Sequence, residues 1–548
     1  MFFRWVAVVL AAFSIGGCST IVETDAGVVQ GFIADGVANF LGIPYAAPPV
    51  GENRFRAPQP LIPWEGVRMA TSIPTPCRQR VPIIGKAGTE DCLKLNVHAP
   101  VGAQGLPVMV WIHGGGFVLG EAGQTDFKTL GDRIARRHGV VVVGVNYRLG
   151  ALGFLAHPLL SGEDPNHRGS GNYGLLDQRA ALQWVQRNIA AFGGDPNNVT
   201  IFGQSAGSMS ACMHLASPLS AGLFHRAILQ SGACMRPLAE LSVGESQGQR
   251  LSHAIGCDES DDELACLRAA NPDRVLDALP LPDFFIPTPD DEPNSWFPIK
   301  DEVFLTDQPR RHFESGQFNH VPIMMGFTED EANLFTAYIE NTLNGDGNVF
   351  TPNPPLTQKQ YEDEVGVFFG RDPSLVQTVL QQYNTAPSGD EVSPGAAFSK
   401  LVTDTEFRCP TRWQMRVMAP FVTEYMYEFA YDHGAFSDPF TTVSGAFHYS
   451  ELQYVFGSSF NLFTDGFDNV VERKLSDVMM SSWANFAKSG DPNGGVVPRW
   501  PTWTPDSDSY MRFDENSVAS TGAASDACAF WEEIVADGKN YLFPAVTQ

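Results

Sequence analysis

The chain has 548 residues, 43% of them hydrophobic and 11% aromatic, which excludes an intrinsically disordered protein or a small disulfide-stapled module. Its 36 Lys and Arg stand against 62 Asp and Glu, a formal net charge of -26, so phosphate backbones and anionic lipid surfaces are repelled and nucleic acid is not expected as a partner. The acidity reads as a solvated surface rather than as a device for binding cations.

The first residues read as an address. Arg4 supplies positive charge, Trp5 to Ile15 is an apolar run too short to span a bilayer, and Ile15-Gly16-Gly17-Cys18 follows. Small residues directly before a cysteine resemble the lipobox of bacterial lipoproteins. That resemblance implies a leader over residues 1–17 and an acylated Cys18 as the mature N-terminus; an ordinary cleaved signal is the alternative. Ser19, rather than aspartate, resembles outer-membrane sorting, against periplasmic or secreted release. No later stretch approaches the roughly 18 apolar residues of a membrane-spanning helix, so the expectation is an exported protein that meets the membrane only through its N-terminal lipid.

Export makes disulfides possible. Nine cysteines are present, and setting Cys18 aside leaves Cys77, Cys92, Cys212, Cys234, Cys257, Cys266, Cys409 and Cys528. No CxxC pair occurs among them, which argues against zinc-ribbon or thioredoxin-like sites. Sequence alone does not fix the connectivity, but Cys77 with Cys92 and Cys257 with Cys266 would close short local loops, the simplest assignment.

From Leu106 onward short β-branched runs alternate with stretches of helical period, the pattern of βα units on a parallel sheet. Pro107 to His113 is apolar almost throughout, as a strand covered on both faces should be, and glycines follow at once. Val140 to Val145 is a second such strand. Between Gly174 and Phe192 the residues Leu175, Leu176, Leu182, Val185, Ile189 and Phe192 fall at roughly helical spacing, and Gly193-Gly194 supplies a stop. A strand over Val199–Phe202, a turn over Gly203–Gly207, a helix to Ala216 and a strand over Ala227–Gln230 follow. Beyond Gly232 the regularity fades into Pro- and Asp-rich segments, notably Leu279 to Pro293 and Thr351 to Thr357. These read as insertions, near 233–320 and 335–440, into a single domain spanning residues 18–548.

Two pentapeptides fit G-x-S-x-G, one at Gly203–Gly207 with Ser205 and one at Gly244–Gly248 with Ser246. The bare pattern is weak and context decides. A nucleophile elbow needs a buried strand feeding a tight turn, small neighbours, and a helix N-terminus behind the serine. Ser205 has all of these; Ser246 has no apolar strand before it. An oxyanion needs N–H donors, and backbone groups in a glycine-rich turn supply them without side chains in the way. His113-Gly114-Gly115-Gly116-Phe117 offers such a turn, so Gly115, Gly116 and the N–H of Ala206 form a three-donor candidate; a merely flexible glycine turn is the alternative.

With these motifs in place the chain resembles the type-B carboxylesterase family, the α/β-hydrolases that include cholinesterases, fungal lipases and bacterial carboxylesterases. The resemblance runs through Glu90-Asp-Cys-Leu93, Leu95-Asn96, Asn146-Tyr-Arg148, Gly174 to Arg179, Asn188 to Pro196, Gly203 to Gly207 and Trp483 to Ala487. It implies an α/β-hydrolase fold, a large, mostly parallel central sheet flanked by helices, with helical and loop insertions around an active-site gorge. It further implies a catalytic acid in Gly326-Phe-Thr-Glu-Asp-Glu331-Ala332, where Glu331 is the positional match and Glu329 and Asp330 the alternatives. The base matches at Gly445-Ala-Phe-His448, followed by Glu451 and Val455-Phe-Gly457. Ser205, Glu331 and His448 then stand in the chain order expected for this fold. Ser231 resembles a family position that hydrogen-bonds the acid, with a plain strand-end serine as the alternative. Cys77 with Cys92 and Cys257 with Cys266 match family disulfides, Cys409 with Cys528 resembles a third, and Cys212 and Cys234 are expected to be two buried thiols.

The implied activity is hydrolysis of a small-molecule carboxylic ester through an acyl-enzyme, with neither metal nor organic cofactor. Alternatives are a lipase acting on long-chain acylglycerols and a non-catalytic, carboxylesterase-like binding protein. Two departures from the family bear on substrate. No aromatic residue lies between Cys77 and Cys92, which disfavours a choline-ester specialist, since cholinesterases carry a cation-binding tryptophan in that loop. Gln204 stands before the nucleophile where the family usually has glutamate, which removes one negative charge beside His448.

Overall fold

The computed structural model describes residues 19–81, 85–125, 128–129, 131–163, 169–279, 296–345, 354–369, 372–383, 392–432, 443–458, 467, 469–523 and 525–536. The leader over 1–17, Cys18, most of the Pro- and Asp-rich stretch 279–293 and residues 351–353 lie outside the described residues.

Among the described residues thirteen strands form one sheet. Its centre is parallel. In spatial order it runs Val141–Val145, Leu106–Ile112, Gly194–Gln204, Arg226–Gln230, Ile323–Thr328, Glu424–Phe429 and Ser509–Phe513. Lys94–Pro100 pairs antiparallel with Val141–Val145 and leads, through further antiparallel pairs, to Ser19–Thr24 at one edge; Val518–Thr521 closes the other edge. The strands expected from sequence at 107–113, 140–145, 199–202 and 227–230 all lie in the central run, and the expected helix is Tyr173–Asn188 with a 3-10 turn to Phe192.

Burial explains the composition of these strands. Val141–Val145, Ile323–Thr328 and Glu424–Phe429 are buried at every position, as strands covered on both faces must be. Successive side chains feed opposite layers. Val108, Val110 and Ile112 join the core packed beneath Tyr173–Asn188 and Ala206–Ala216, while Met109 and Trp111 join the one packed under helix Val470–Ser489 through Leu475, Met479, Trp483 and Phe486. The segment 233–320 carries four short helices among its described residues. Among its described residues the segment 335–440 carries five helices, a π-helical turn over Thr403–Arg408 and, near its end, the strand Glu424–Phe429.

Four disulfides cross-link the body. Cys77–Cys92, Cys257–Cys266 and Cys409–Cys528 pair as expected. The expectation for Cys212 and Cys234 is overturned, because these two are bonded to each other. Cys212 lies in helix Ala206–Ala216, and the loop leaving strand Arg226–Gln230 turns back over that helix, bringing the two Cα atoms to 5.9 Å, within bridging range. Only the fold could reveal that return. No helix among the described residues is long and apolar enough to cross a membrane.

The parallel strands all point one way, so their carboxyl ends deliver loops to one rim: His113 after Leu106–Ile112, Ser205 after Gly194–Gln204, Ser231 after Arg226–Gln230 and Glu331 after Ile323–Thr328. Open α/β sheets place their ligands at that rim.

Candidate active site

Ser205 occupies the junction between its strand and helix Ala206–Ala216 with φ 58° and ψ -125°, a conformation that L residues adopt only where the surroundings impose it. The imposing contacts are plain. Ser205 N–H donates to Gln230 O of the next strand at 2.8 Å, and a Cβ placed on Gly207 would lie 2.0 Å from Ile112 O, so the turn closes only with glycine there. The serine is 6% exposed, at the edge of a cavity. Ala206 N–H is the first of the helix and has no intrahelical acceptor.

The loop after Leu106–Ile112 lies against this turn. A Cβ on Gly114 would be 3.2 Å from Ser205 Cβ, and Gly115 and Gly116 both have positive φ, 106° and 59°. Gly115 O accepts the N–H groups of Val118 and Leu119, which curls the loop. His113 braces it: its ring stacks on Tyr147 at 4.3 Å, its Nδ1 meets Gly114 O, and the Tyr147 hydroxyl donates to His113 O. Burial pushes His113 down to about 4, so it is a neutral structural ring at physiological pH. The adjoining Arg148 is buried in a bidentate pair with Asp177, which accounts for two of the motif blocks as scaffolding.

Of the three carboxylates after Ile323–Thr328, Glu331 is the one that meets histidine. Its Oε1 accepts Thr328 N–H at 2.8 Å and its Oε2 lies 2.6 Å from His448 Nδ1, with the side chain fully buried. Glu329 turns outward to Arg512, and Asp330 accepts Ala446 N–H, anchoring the loop that carries His448. The His448 ring is held between Phe335 and Phe407, at 5.0 and 5.1 Å. Its Nε2 lies 3.1 Å from the Gln204 side-chain amide nitrogen. An amide NH2 can only donate, so this contact makes Nε2 an acceptor and leaves the ring proton on Nδ1, facing Glu331.

The remaining sequence candidates part from these. Ser246 is exposed on helix Leu241–Ala254, with its hydroxyl donating to Ser242 O. Ser231 lines the cavity beside Ser205; its hydroxyl is buried without a hydrogen-bond partner, and both Glu331 oxygens are taken by Thr328 and His448.

Sequence reasoning missed the support beneath the histidine. Ala332 N–H donates to Thr403 Oγ1 of the π-helical turn, and Arg408 of the same turn donates to Glu329 O, so one irregular turn fixes the loop that carries Glu331. Below, Gln230 donates to Glu451 Oε1 and accepts from Trp483 Nε1, each at 3.0 Å. Burial first, and then the charge of Glu331, pushes Glu451 up to about 8. No local motif announces a π turn or a glutamate pushed toward its neutral form by burial; both depend on long-range packing.

A buried serine on a strained elbow, a carboxylate-held histidine and a glycine loop at the rim of a parallel sheet define an α/β-hydrolase. The model of the carboxylesterase family matches residues 18–531, and the chain belongs to that family. It is 34% identical to a cholinesterase of Mus musculus over 538 residues, which cover 93% of this chain and 86% of that one. It is likewise 34% identical to an acetylcholinesterase of Bungarus fasciatus over 550 residues, 94% of this chain and 86% of the other. Solved structures of a PNB esterase superpose with TM-scores of 0.75 and 0.76 at 32% and 31% identity, covering 95% and 96% of this chain and 99% of theirs. The protein is a carboxylic ester hydrolase.

Proposed function

We propose that Ser205, His448 and Glu331 carry ester hydrolysis as nucleophile, base and acid, with Gly115, Gly116 and Ala206 N–H groups as the oxyanion hole. The observation that carries this reading is the 2.6 Å contact of Glu331 Oε2 with His448 Nδ1, which presents Nε2 as an acceptor toward the Gln204–Ser205 turn. His448 removes the Ser205 proton as the oxygen attacks the carbonyl carbon, and Glu331 holds the tautomer and stabilises the imidazolium that forms. The imidazolium then returns the proton to the leaving alcohol. Water, deprotonated by the same nitrogen, attacks the acyl-enzyme and frees the acid. Gln204 must yield its hold on Nε2 for the first transfer. No step needs a metal or an organic cofactor.

Substrates on this reading are small-molecule esters other than choline esters. The whole of 18–548 serves as one hydrolase domain with insertions near 233–320 and 335–440, displayed from an outer membrane through lipidated Cys18. The decisive experiment replaces Ser205 and Ser246 in turn. Ser205→Ala should abolish p-nitrophenyl acetate hydrolysis and labelling by an organophosphate, with a kcat loss of about 10^4 or more, while Ser246→Ala retains both. The opposite pattern refutes the assignment.

A further inference from the structure

The π-helical turn Thr403–Arg408 does more than brace the acid. Thr405, Glu406 and Phe407 also form one wall of the cavity that opens beside Ser205. The empty space there, open mouth included, is ≈ 540 Å³. The opposite wall is the loop after Arg226–Gln230, from Ser231 to Arg236, pinned by the Cys212–Cys234 bond and by Cys234 N–H donating to Gln414. The remaining lining is Ser205 with the apolar Met209, Phe297 and Pro410, and the two walls add the apolar Met235 and Phe407.

Within that apolar lining Glu406 and Arg236 face each other at 3.7 Å, with side chains 12% and 32% exposed. The Glu406 carboxyl is withdrawn from most of the solvent, a cost that a contact at this separation offsets only in part. Burial raises the Glu406 carboxyl and Arg236 draws it back, so the carboxylate depends on the guanidinium across the cavity. A cavity needed only for packing would be better filled by hydrocarbon.

Chemistry assigns the side of the ester it serves. The leaving alcohol must depart beside His448, which protonates it. Ser205 lines the cavity together with Met209, Met235 and Phe297, whereas His448 does not line it, so the cavity receives the acyl chain. A hydroxyl matches what that chain would meet, because its oxygen accepts from the guanidinium while its proton goes to the carboxylate. We propose that Arg236 and Glu406 are specificity-determining residues that select esters whose acyl chain carries a hydroxyl. The proposal rests on Ser205 and His448 acting as described above.

The test compares ethyl 3-hydroxybutyrate with ethyl butyrate and ethyl 6-hydroxyhexanoate with ethyl hexanoate, followed by acid release in the full-length enzyme. In at least one pair the hydroxy ester should have a kcat/KM about tenfold or more above its alkyl partner. That ratio should fall toward one in Arg236→Met and in Glu406→Leu. A wild-type ratio at or below one in both pairs, with the alkyl esters turned over, overturns the proposal and leaves the nucleophile untouched. So does a ratio unchanged in the variants, or a hydroxyl preference found only on the alcohol side, with 2-hydroxyethyl butyrate against propyl butyrate. Because the wild-type ratio is read without any substitution, a variant that misfolds does not remove the test. Hydrolysis surviving in Ser205→Ala would instead sink the underlying assignment.

Discussion

At the scale of single residues, one departure from the family pattern bears on the proposed base, His448. Gln204 donates to His448 Nε2 where a glutamate would accept from it. A carboxylate there would favour the imidazolium, as a close opposite charge does. The base must be neutral to work, so Gln204→Glu should move the acidic limb of the kcat/KM profile to higher pH, measured with p-nitrophenyl acetate. An unshifted limb would assign Gln204 to bracing the turn alone. Glu451 gives a second expectation. Its folded pKa of about 8 lies above the value of about 4.3 in an unfolded chain, so between those limits the folded state holds a proton that the unfolded state has lost. Stability from this site is therefore full below about pH 4 and declines as pH rises toward 8. Glu451→Gln keeps the hydrogen-bonding shape without the proton, and its melting temperature relative to wild type should rise between pH 5 and pH 8. A constant difference would mean that Glu451 is ionised in the fold.

At the scale of elements, the geometry of the site comes from two irregularities rather than from regular structure. The elbow at Ser205 is strained and the turn at Thr403–Arg408 is π-helical, and both sit where elements cross. Disulfides hold each. Cys212–Cys234 ties the helix after Ser205 to the cavity wall across a sequence separation of 22, and Cys409–Cys528 ties the residue after the π turn to the C-terminal helix Ser525–Ala536 across 119. The chain-entropy model gives about 3 and about 5 kcal/mol for loops of these lengths. Peptide mapping of non-reduced protein should recover both bonds. Replacing Cys409 and Cys528 together by serine should lower the denaturation midpoint more than replacing Cys212 and Cys234 does. The reverse order would show that the local wall, rather than the long closure, carries the stability.

At the scale of the molecule, a net charge of -26 repels anionic lipid, so adsorption alone would not hold this protein at a membrane. On the proposed acylation of Cys18, attachment should then depend on that residue. Cys18→Ala should move the protein from the membrane fraction to the soluble one, and esterase activity should follow it unchanged, because Ser19–Thr24 lies at the edge of the sheet, six strands across from Gly194–Gln204. Wild-type levels of Cys18→Ala in washed membranes would refute the anchor.

The strands read at 107–113, 140–145, 199–202 and 227–230 were legible, within a few residues of their ends, because burial on both faces demands uninterrupted apolar runs, and that demand is local. Ser205 was separable from Ser246 for a related reason, since an elbow leaves its strand, glycines and helix in adjacent residues. The family pattern located Glu331 and His448 but left Glu329 and Asp330 open. Tertiary structure distinguished them, because which carboxylate reaches a ring 117 residues away depends on where strand 323–328 ends and how loop 443–448 returns. The same holds for Cys212 with Cys234, which no spacing rule pairs, and for Arg236 with Glu406, brought together across a cavity from two separate segments. Sequence determines what each stretch must bury and how sharply it can turn. Which distant groups then meet is decided by packing, because the free energy that selects those meetings is spread over the whole core rather than written beside the residues concerned.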